Sequence, residues 1–384
     1  MTTRRLRLGM VGGGEGAFIG GVHRFAARLD DEFELVAGAF SSDAARAASS
    51  AATLRVAPER SYSDFLAMAV EEAARADGID AVAIVTPNHL HHGPARAFLE
   101  AGIDVICDKP LARTVAEGED LVSAVSASGR IFVLTYNYTG YPMIRHAREM
   151  IAAGALGAIR IIQVEYPQDW LTEPLEATGH KQAAWRTDPE RSGAGGALGD
   201  IGTHAFNLAE FVTGLRCESV AAELTAFVPG RRLDDNAHVL LRFAGGARGA
   251  LWCSQVAPGH ENGLRLRVYG ESGSIDWMQE HPNQLRHATF GEAPVVISRG
   301  GVGGGVAAAH ATRLPAGHPE GYLEAFAQIY RDAAALIRAR RDGVRPLPEC
   351  ALLPSVGDGL RGLRFIHACV KSSAAGAQMT PLED

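Results

Sequence analysis

Asp108-Lys109-Pro110, together with Asp200 and His204 in the run Gly199-Asp200-Ile201-Gly202-Thr203-His204, are the side chains of this 384-residue chain best suited to moving protons. A histidine titrates near working pH, so His204 can act as a general base towards a hydroxyl. Residues four apart on a helix share a face, so Asp200 can orient and favour the His204 imidazole. The ammonium of Lys109 can donate to an oxygen and stabilise alkoxide-like charge. These groups describe the proton half of an alcohol oxidation, which also needs a hydride acceptor beside them.

A place for such an acceptor is legible near the start of the chain. Gly12-Gly13-Gly14 follows the apolar run Leu6 to Val11 and is followed by Gly16, Phe18, Ile19 and Gly20 before an amphipathic stretch containing His23 and Arg24. A glycine turn between a first strand and a first helix lets backbone N–H groups and the helix N-terminus meet a pyrophosphate. The spacing departs from G-x-G-x-x-G: with Gly20 as the third glycine, about three residues are inserted, and Glu15 sets a carboxylate near the phosphates. The acidic residue that usually holds a ribose 2'-hydroxyl after the second strand is missing from Ala39-Phe40-Ser41-Ser42-Asp43. Ser41, Ser42 and Arg46 could grip a 2'-phosphate, and Asp43 could take hydroxyls. NAD and NADP both stay open, with Glu15 and Asp43 favouring NAD.

The elements that must position these residues follow from hydrophobic patterning. Leu6 to Val11, Phe33 to Phe40, Ala81 to Val85, Val105 to Cys107 and Ile131 to Leu134 are apolar on successive positions, as parallel strands buried on both faces are. Between them Val22 to Leu29, Asp43 to Ala51, Tyr62 to Arg75, Pro94 to Ala101 and Val115 to Val125 have helical spacing, so a doubly wound parallel sheet is expected up to about residue 138. Beyond it, helices at Met143 to Ala153 and about Ala197 to Val212 alternate with the strand Ala158 to Tyr166. The strands Val220 to Val228, His238 to Phe243, Gly249 to Val256, Leu264 to Tyr269, Ser274 to Met278 and Val295 to Ser298 follow, joined by short turns. Helices from about Pro319 to Arg341 and Val356 to Ala374 close the chain. The expected class is α/β: a doubly wound parallel domain over 1–138, then an α+β domain with a large open, mostly antiparallel sheet over 139–384, the last helices being free to pack back on the first. Gly300 to Gly305 reads as a flexible loop with no helix start behind it.

Composition narrows the partners. A hydrophobic fraction of 47%, 44 glycines and a net charge of -7 describe a folded protein without the clustered cations a nucleic-acid surface needs. Five scattered cysteines without a C-x-x-C spacing suggest neither a disulfide framework nor a zinc site, and fit a reducing cytoplasm. No metal is expected: His89, His91 and His92 lie in a loop after a strand, with no carboxylate partner evident in sequence. The start lacks a signal-peptide core and no apolar run approaches the roughly 18 residues of a membrane helix, so neither export nor a membrane is expected.

Gly12-x-Gly14, Thr86-Pro87-Asn88-His89-Leu90-His91, Asp108-Lys109-Pro110 and the Gly199 to His204 run, in this order, resemble the glucose-fructose oxidoreductase, inositol dehydrogenase and rhizopine-catabolism (Gfo/Idh/MocA) family over essentially the whole chain. The resemblance implies a Rossmann domain and an open-sheet domain that often mediates homodimers or homotetramers, with substrate over the nicotinamide. It implies cofactor contacts from Thr86, Pro87, Asn88, His91, Asp108, Lys109 and Asn137. The family's Glu-Lys-Pro is shortened here to Asp108-Lys109-Pro110, and the arginine common after Tyr138 is replaced by Thr139. On the substrate side it points to Tyr166, Gln168, Asp169 and Trp170, polar groups interleaved with rings that suit a sugar's hydroxyls and C–H faces; Trp185 and Arg186 lie in the same connecting region, and His318 could also reach the cleft. The implied activity is oxidation of a secondary hydroxyl of a sugar, glycoside or cyclic polyol, with Lys109, Asp200 and His204 catalytic. Two alternatives share the residues: a glycoside hydrolase that oxidises, eliminates and re-reduces on retained NAD, and a silent dinucleotide-binding sensor.

Overall fold

The computed structural model describes residues 4–383. In its first unit, strands β1 (Leu6–Gly12), β2 (Phe33–Ala39), β3 (Ala81–Val85), β4 (Asp104–Cys107) and β5 (Phe132–Leu134) alternate with helices α1 (Phe18–Leu29), α2 (Ala44–Thr53), α3 (Phe65–Ala74), α4 (His92–Glu100) and α5 (Val115–Ser128). All neighbours are parallel, in the order β2-β1-β3-β4-β5. Every residue of β3 is buried, which is why its apolar run shows no alternation.

Beyond β2, a parallel bridge between Gly38 and Ser61 and a hydrogen bond from Tyr62 N to Gly38 O, 2.9 Å, occupy the place of a further strand. Counted as the third, it turns the order into 3-2-1-4-5-6, the dinucleotide-binding arrangement, whose direction reverses between β1 and β3. The same bridge shortens the helix expected from Tyr62. Asp64 accepts from Leu66 N and Ala67 N, so α3 starts only at Phe65.

The second unit holds α6 (Pro142–Ala152), β6 (Ile159–Pro167), α7 (Lys181–Arg186), α8 (Pro189–Ser192), α9 (Thr203–Thr213), β7 (Cys217–Thr225), β8 (Asn236–Phe243), β9 (Arg248–Ser254), β10 (Arg265–Gly270), β11 (Gly273–Met278), β12 (Gln284–Thr289), β13 (Val295–Ser298) and α10 (Val306–Ala311). Strand β14 (Thr380–Pro381) completes a nine-stranded sheet, β13-β12-β11-β10-β6-β9-β8-β7-β14. Every pairing is antiparallel except β6 with β9. One face carries buried Ile162, Val164, Val239, Leu251 and Val268 beneath α6 and α9. The other exposes Ile161, Leu240 and Tyr269.

Two remaining helices explain why a single division at 138/139 is too simple. Helix α11 (Tyr322–Asp342) and the start of α12 (Val356–Ala374) belong with the chain up to Gly140, whereas α12 from Arg361 onward belongs with Tyr141–Gly321. Phe326, Ile329, Tyr330 and Ile337 of α11 join Val22, Ala26 and Phe33 in one core. Each such side chain is worth roughly 2 kcal/mol when fully buried, which holds α11 against α1.

Two further differences concern sequences that carry little periodic signal. Strand β12 was not expected, because Gln-Leu-Arg-His-Ala-Thr has one deeply buried residue, Leu285, and it forms by pairing with β11 and β13. Helix α10 does start directly after the glycine loop, with Gly305 as its N-cap. Its first amides are met by Glu149 Oε1, 2.8 Å from Ala307 N, and by His146 Nδ1, 3.1 Å from Gly305 N. The chain's own side chains thus close that helix end. Among the described residues no helix is long and apolar enough to cross a membrane.

Candidate active site

The glycine turn after β1 is built by close approach. Gly12, Gly13 and Gly16 have φ of 80°, 70° and 73°, in the left-handed region that favours glycine. A Cβ on Gly14 would stand 2.8 Å from Ser50 Oγ and 2.9 Å from Phe40 O. Gly20 takes the third-glycine position: its Cβ would lie 2.4 Å from Gly13 Cα, so α1 sits on the turn without a side chain between them. Arg24 Nη1 donates to Gly13 O at 2.6 Å and braces the turn from α1. Glu15 is drawn to α2, its Oε1 accepting from Ser49 Oγ at 2.9 Å. No side chain caps α1 at Ala17, and the exposed Phe18 and the half-buried Ile19 stand at its start. This uncapped helix end on a glycine cradle fits a pyrophosphate.

After β2, Asp43 is the N-cap of α2 and accepts from Arg46 N at 2.8 Å, while Ser41 Oγ accepts from Asp43 N. Ser42 and the Arg46 side chain are exposed. After β3, Thr86 Oγ1 donates to Leu90 O at 2.8 Å, Pro87 is half-buried and Asn88 is buried. His91 is fully buried, with Nδ1 2.7 Å from Pro110 O and Nε2 2.8 Å from Thr86 O. Burial pushes its pKa down; the ring lies between the loops after β3 and β4, and when neutral it donates to one of these two carbonyls. Direct cofactor contact, as expected of His91, is not what this geometry offers. His92 has a carboxylate after all, Asp120 on α5, 2.7 Å away, which also pairs with Arg96.

The Lys109-Pro110 peptide is cis. Asp108 accepts from Thr135 Oγ1 at 2.9 Å, and His23 Nε2 of α1 lies 3.9 Å from its Oδ1. His23 is itself buried, with Nδ1 2.7 Å from the Tyr330 hydroxyl of α11. Burial works to raise the Asp108 carboxyl, but His23, Lys109 and His91 outweigh it and hold it well below the usual carboxylate range. Asp108 is therefore a buried anion next to Lys109. Asn137, 2% exposed, has an amide nitrogen that meets no acceptor among the described residues, a donor suited to a bound cofactor.

In the second unit, Leu198–Gly202 forms a π-helical turn that runs into α9, so Asp200 and His204 lie on successive windings of different pitch. Such wide turns recur at functional sites. Asp200 Oδ2 accepts from Arg186 Nε at 3.2 Å and from Gln255 Nε2 at 2.9 Å. The Arg186 guanidinium anchors Asp200 and stacks over Trp185, 4.2 Å from the ring centroid. The His204 ring stands edge-on to Tyr166, centroids 6.4 Å apart.

Around them runs an amide chain. Tyr166 Oη and Gln168 Nε2 both donate at 2.8 Å to Asn262 Oδ1, Trp170 Nε1 donates to Gln168 Oε1, and Asn262 Nδ2 donates to Gln279 Oε1. Gln255, Asn262 and Gln279 were not singled out in the sequence, since glutamines and asparagines at strand ends carry no motif. Asp169 Oδ2 accepts from Gly259 N at 3.3 Å. His318 is exposed in a loop, and among the described residues its side chain makes no hydrogen bond or ring contact, so it does not join this cluster.

Comparison with known proteins agrees with this geometry. Residues 6–138 match the oxidoreductase family with an NAD-binding Rossmann fold, and residues 144–276 match the GFO/IDH/MocA C-terminal domain. An uncharacterised oxidoreductase of Bacillus subtilis, YfiI, is 36% identical over 98% of this chain and 96% of its own length. A crystal structure of an oxidoreductase from Sinorhizobium meliloti is 52% identical, with a TM-score of 0.90 over 98% of this chain and 99% of that one. An inositol dehydrogenase homologue from Azotobacter vinelandii, crystallised with NADH and myo-inositol, is 38% identical, with a TM-score of 0.91 over 99% and 98% of the two chains. With a glycine cradle shaped for a dinucleotide, and with identity and fold shared from end to end, the chain belongs to the Gfo/Idh/MocA family of oxidoreductases and carries an NAD-binding Rossmann domain.

Proposed function

We propose that the protein oxidises a secondary hydroxyl of a sugar, glycoside or cyclic polyol, with NAD as the preferred hydride acceptor. The observation that carries this reading is the fixed Asp200 carboxylate, held by Arg186 and Gln255 one winding before His204, within a wall of amides and aromatic rings. Gln168, Asn262, Gln279 and Tyr166 supply paired donors and acceptors of the kind that recognise adjacent hydroxyls, and Trp170 and Trp185 supply faces for C–H surfaces. The structural relative that holds NADH and myo-inositol supports a cyclic polyol in particular.

The glycine turn, the start of α1 and Asn137 would hold the dinucleotide, and the nicotinamide, when bound, accepts the hydride. His204 takes the hydroxyl proton as general base. Lys109 donates to an oxygen on which negative charge develops, and it stands beside the buried anion Asp108. Asp200 orients His204 and stabilises the imidazolium that proton transfer creates. Self-association through the open face of the nine-stranded sheet accompanies this reading, because Leu240 is 60% and Ile161 46% exposed there. Light scattering of the wild type and Leu240→Glu would test it, a monomeric wild type refuting it.

The test of function is a panel of inositols, monosaccharides and glycosides with NAD and NADP, followed by absorbance of the reduced cofactor. Growth of NADH with a cyclic polyol or sugar is the expected result. Release of an aglycone without net NADH would replace the reading with redox-assisted hydrolysis, and silence towards every polyol, sugar and glycoside would refute it.

A further inference from the structure

The run that leads into the Asp200 turn is tied to one buried carboxylate. Gly196 N donates to Asp234 Oδ1 and Leu198 N to Asp234 Oδ2, both at 2.7 Å. Between them Ala197 N donates to the Asp234 carbonyl at 2.8 Å, so three consecutive amides converge on a single residue. Gly196 is required for this approach: a Cβ there would stand 2.0 Å from the Asp234 carbonyl oxygen. The next residue extends the clamp. Asp235 accepts from Phe227 N and Val228 N through its carboxylate and from Gln255 N, at 2.8 Å, through its carbonyl. Gln255 is the same residue whose side chain holds Asp200 Oδ2.

A carboxylate has an acceptor oxygen for each of the two amides, whereas a carboxylic acid turns one oxygen into a hydroxyl and loses one of them. We propose that Asp234 is a positioning residue: ionised, it clamps Gly196 to Leu198 so that the turn presents Asp200 and His204 in working geometry; protonated, it releases the turn and lowers activity in mild acid. This rests on the reading of Asp200 and His204 as the proton-handling pair. Burial is the largest influence on Asp234 and pushes its pKa up to about 6, against the two amide bonds and with the help of Asp235. The other titratable groups that face it are Cys253 on β9, which also faces Asp200 of the turn, and Cys369 on α12. Burial raises both thiols well above the ordinary range, so they stay neutral while Asp234 titrates. Among the described residues no cation hydrogen-bonds or ion-pairs with the Asp234 carboxylate, since Arg231 pairs with Asp235 instead.

The experiment has a structural and a kinetic arm. In 15N-labelled wild-type protein, the amide signals of Gly196 and Leu198 should move together with a midpoint near pH 6, and Asp234→Asn should abolish that movement. Signals that stay flat between about pH 5 and pH 8 would overturn the proposal. Kinetically, Asp234→Asn should lower kcat roughly 10- to 100-fold at pH 8 with NADH affinity retained, the cost of a misplaced catalytic group. The acid limb of log kcat should become less steep by one proton. A merely structural carboxylate would change melting temperature and leave that slope alone, and a variant with wild-type kcat and slope would refute the positioning role. Should Asp234→Asn not fold, Gly196→Ala displaces the same segment without removing a charge and should lower kcat while keeping the wild-type slope; unchanged kcat would count against the clamp. If no substrate is turned over by the wild type, the functional reading fails while the amide titration still decides whether Asp234 clamps the turn.

Discussion

Gly20 meets Gly13 at a distance that only two glycines allow, a Cβ on the former falling 2.4 Å from the Cα of the latter. The first helix is thereby set directly on the turn proposed to cradle the dinucleotide, and its uncapped N-terminus is aimed by backbone packing rather than by a side chain. Gly20→Ala should therefore cost about 1–3 kcal/mol by overpacking against backbone. It should also weaken NADH binding at least several-fold. Thermal melting and quenching of protein fluorescence by NADH would read the two effects, and unchanged affinity would show that α1 does not position the cofactor.

Lys109 should be needed for chemistry and not for cofactor binding. Lys109→Met is expected to reduce turnover by roughly 10²-fold or more, as loss of a group that stabilises transition-state charge does. The NADH dissociation constant should stay within a small factor of wild type. Retained turnover would remove Lys109 from the mechanism.

His204→Ala should slow the reaction most near neutral pH, by roughly 10²- to 10⁴-fold, the usual worth of a general base. Because hydroxide can take the proton when the imidazole is gone, the deficit should narrow as pH rises. A pH-independent deficit in a full kcat profile would argue that His204 positions substrate and moves no proton.

Gln255 has a structural role that gives it kinetic weight. Gln255→Leu keeps the volume but removes a donor from Asp200 Oδ2, to which Arg186 also donates. We expect kcat to fall by about tenfold or more, because one hydrogen bond to a charged group is worth roughly 1.5–3 kcal/mol, with the melting temperature little changed. Equal kcat in steady-state assays would show that the Gln255 contact is dispensable.

Acid stability should depend on Asp80. Burial works to raise this carboxyl, but hydrogen bonds from Arg4, Arg341 and Arg7 N prevail and hold it at about 2, against 3.8 ordinarily. A folded-state pKa below the unfolded one contributes stability that is present above about pH 4 and lost as pH falls towards 2. Asp80→Asn should thus cost on the order of 1–2 kcal/mol at pH 7, discounted for the exposed arginines, and the gap should close in acid. Urea melts at pH 7 and pH 3 would check the sign.

Much of this protein was legible in residue order alone. Apolar runs with no alternation require cover on both faces, and the alternation of such runs with helical spacing demands a parallel sheet; the turn glycines and the ordered motifs then locate Lys109, Asp200 and His204. Tertiary structure decided the partners. Ser61 and Tyr62 became a strand remnant because Gly38 lies beside them, and α11 returned to the first unit because Phe326 and Tyr330 complete the core around α1. Arg186, Gln255 and Asp234, far apart in the chain, hold the Asp200 turn through a few hydrogen bonds. Periodicity records which face of an element is buried. A lone polar contact between distant residues leaves no period, so only the folded backbone that brings its two ends to within 3 Å reveals it.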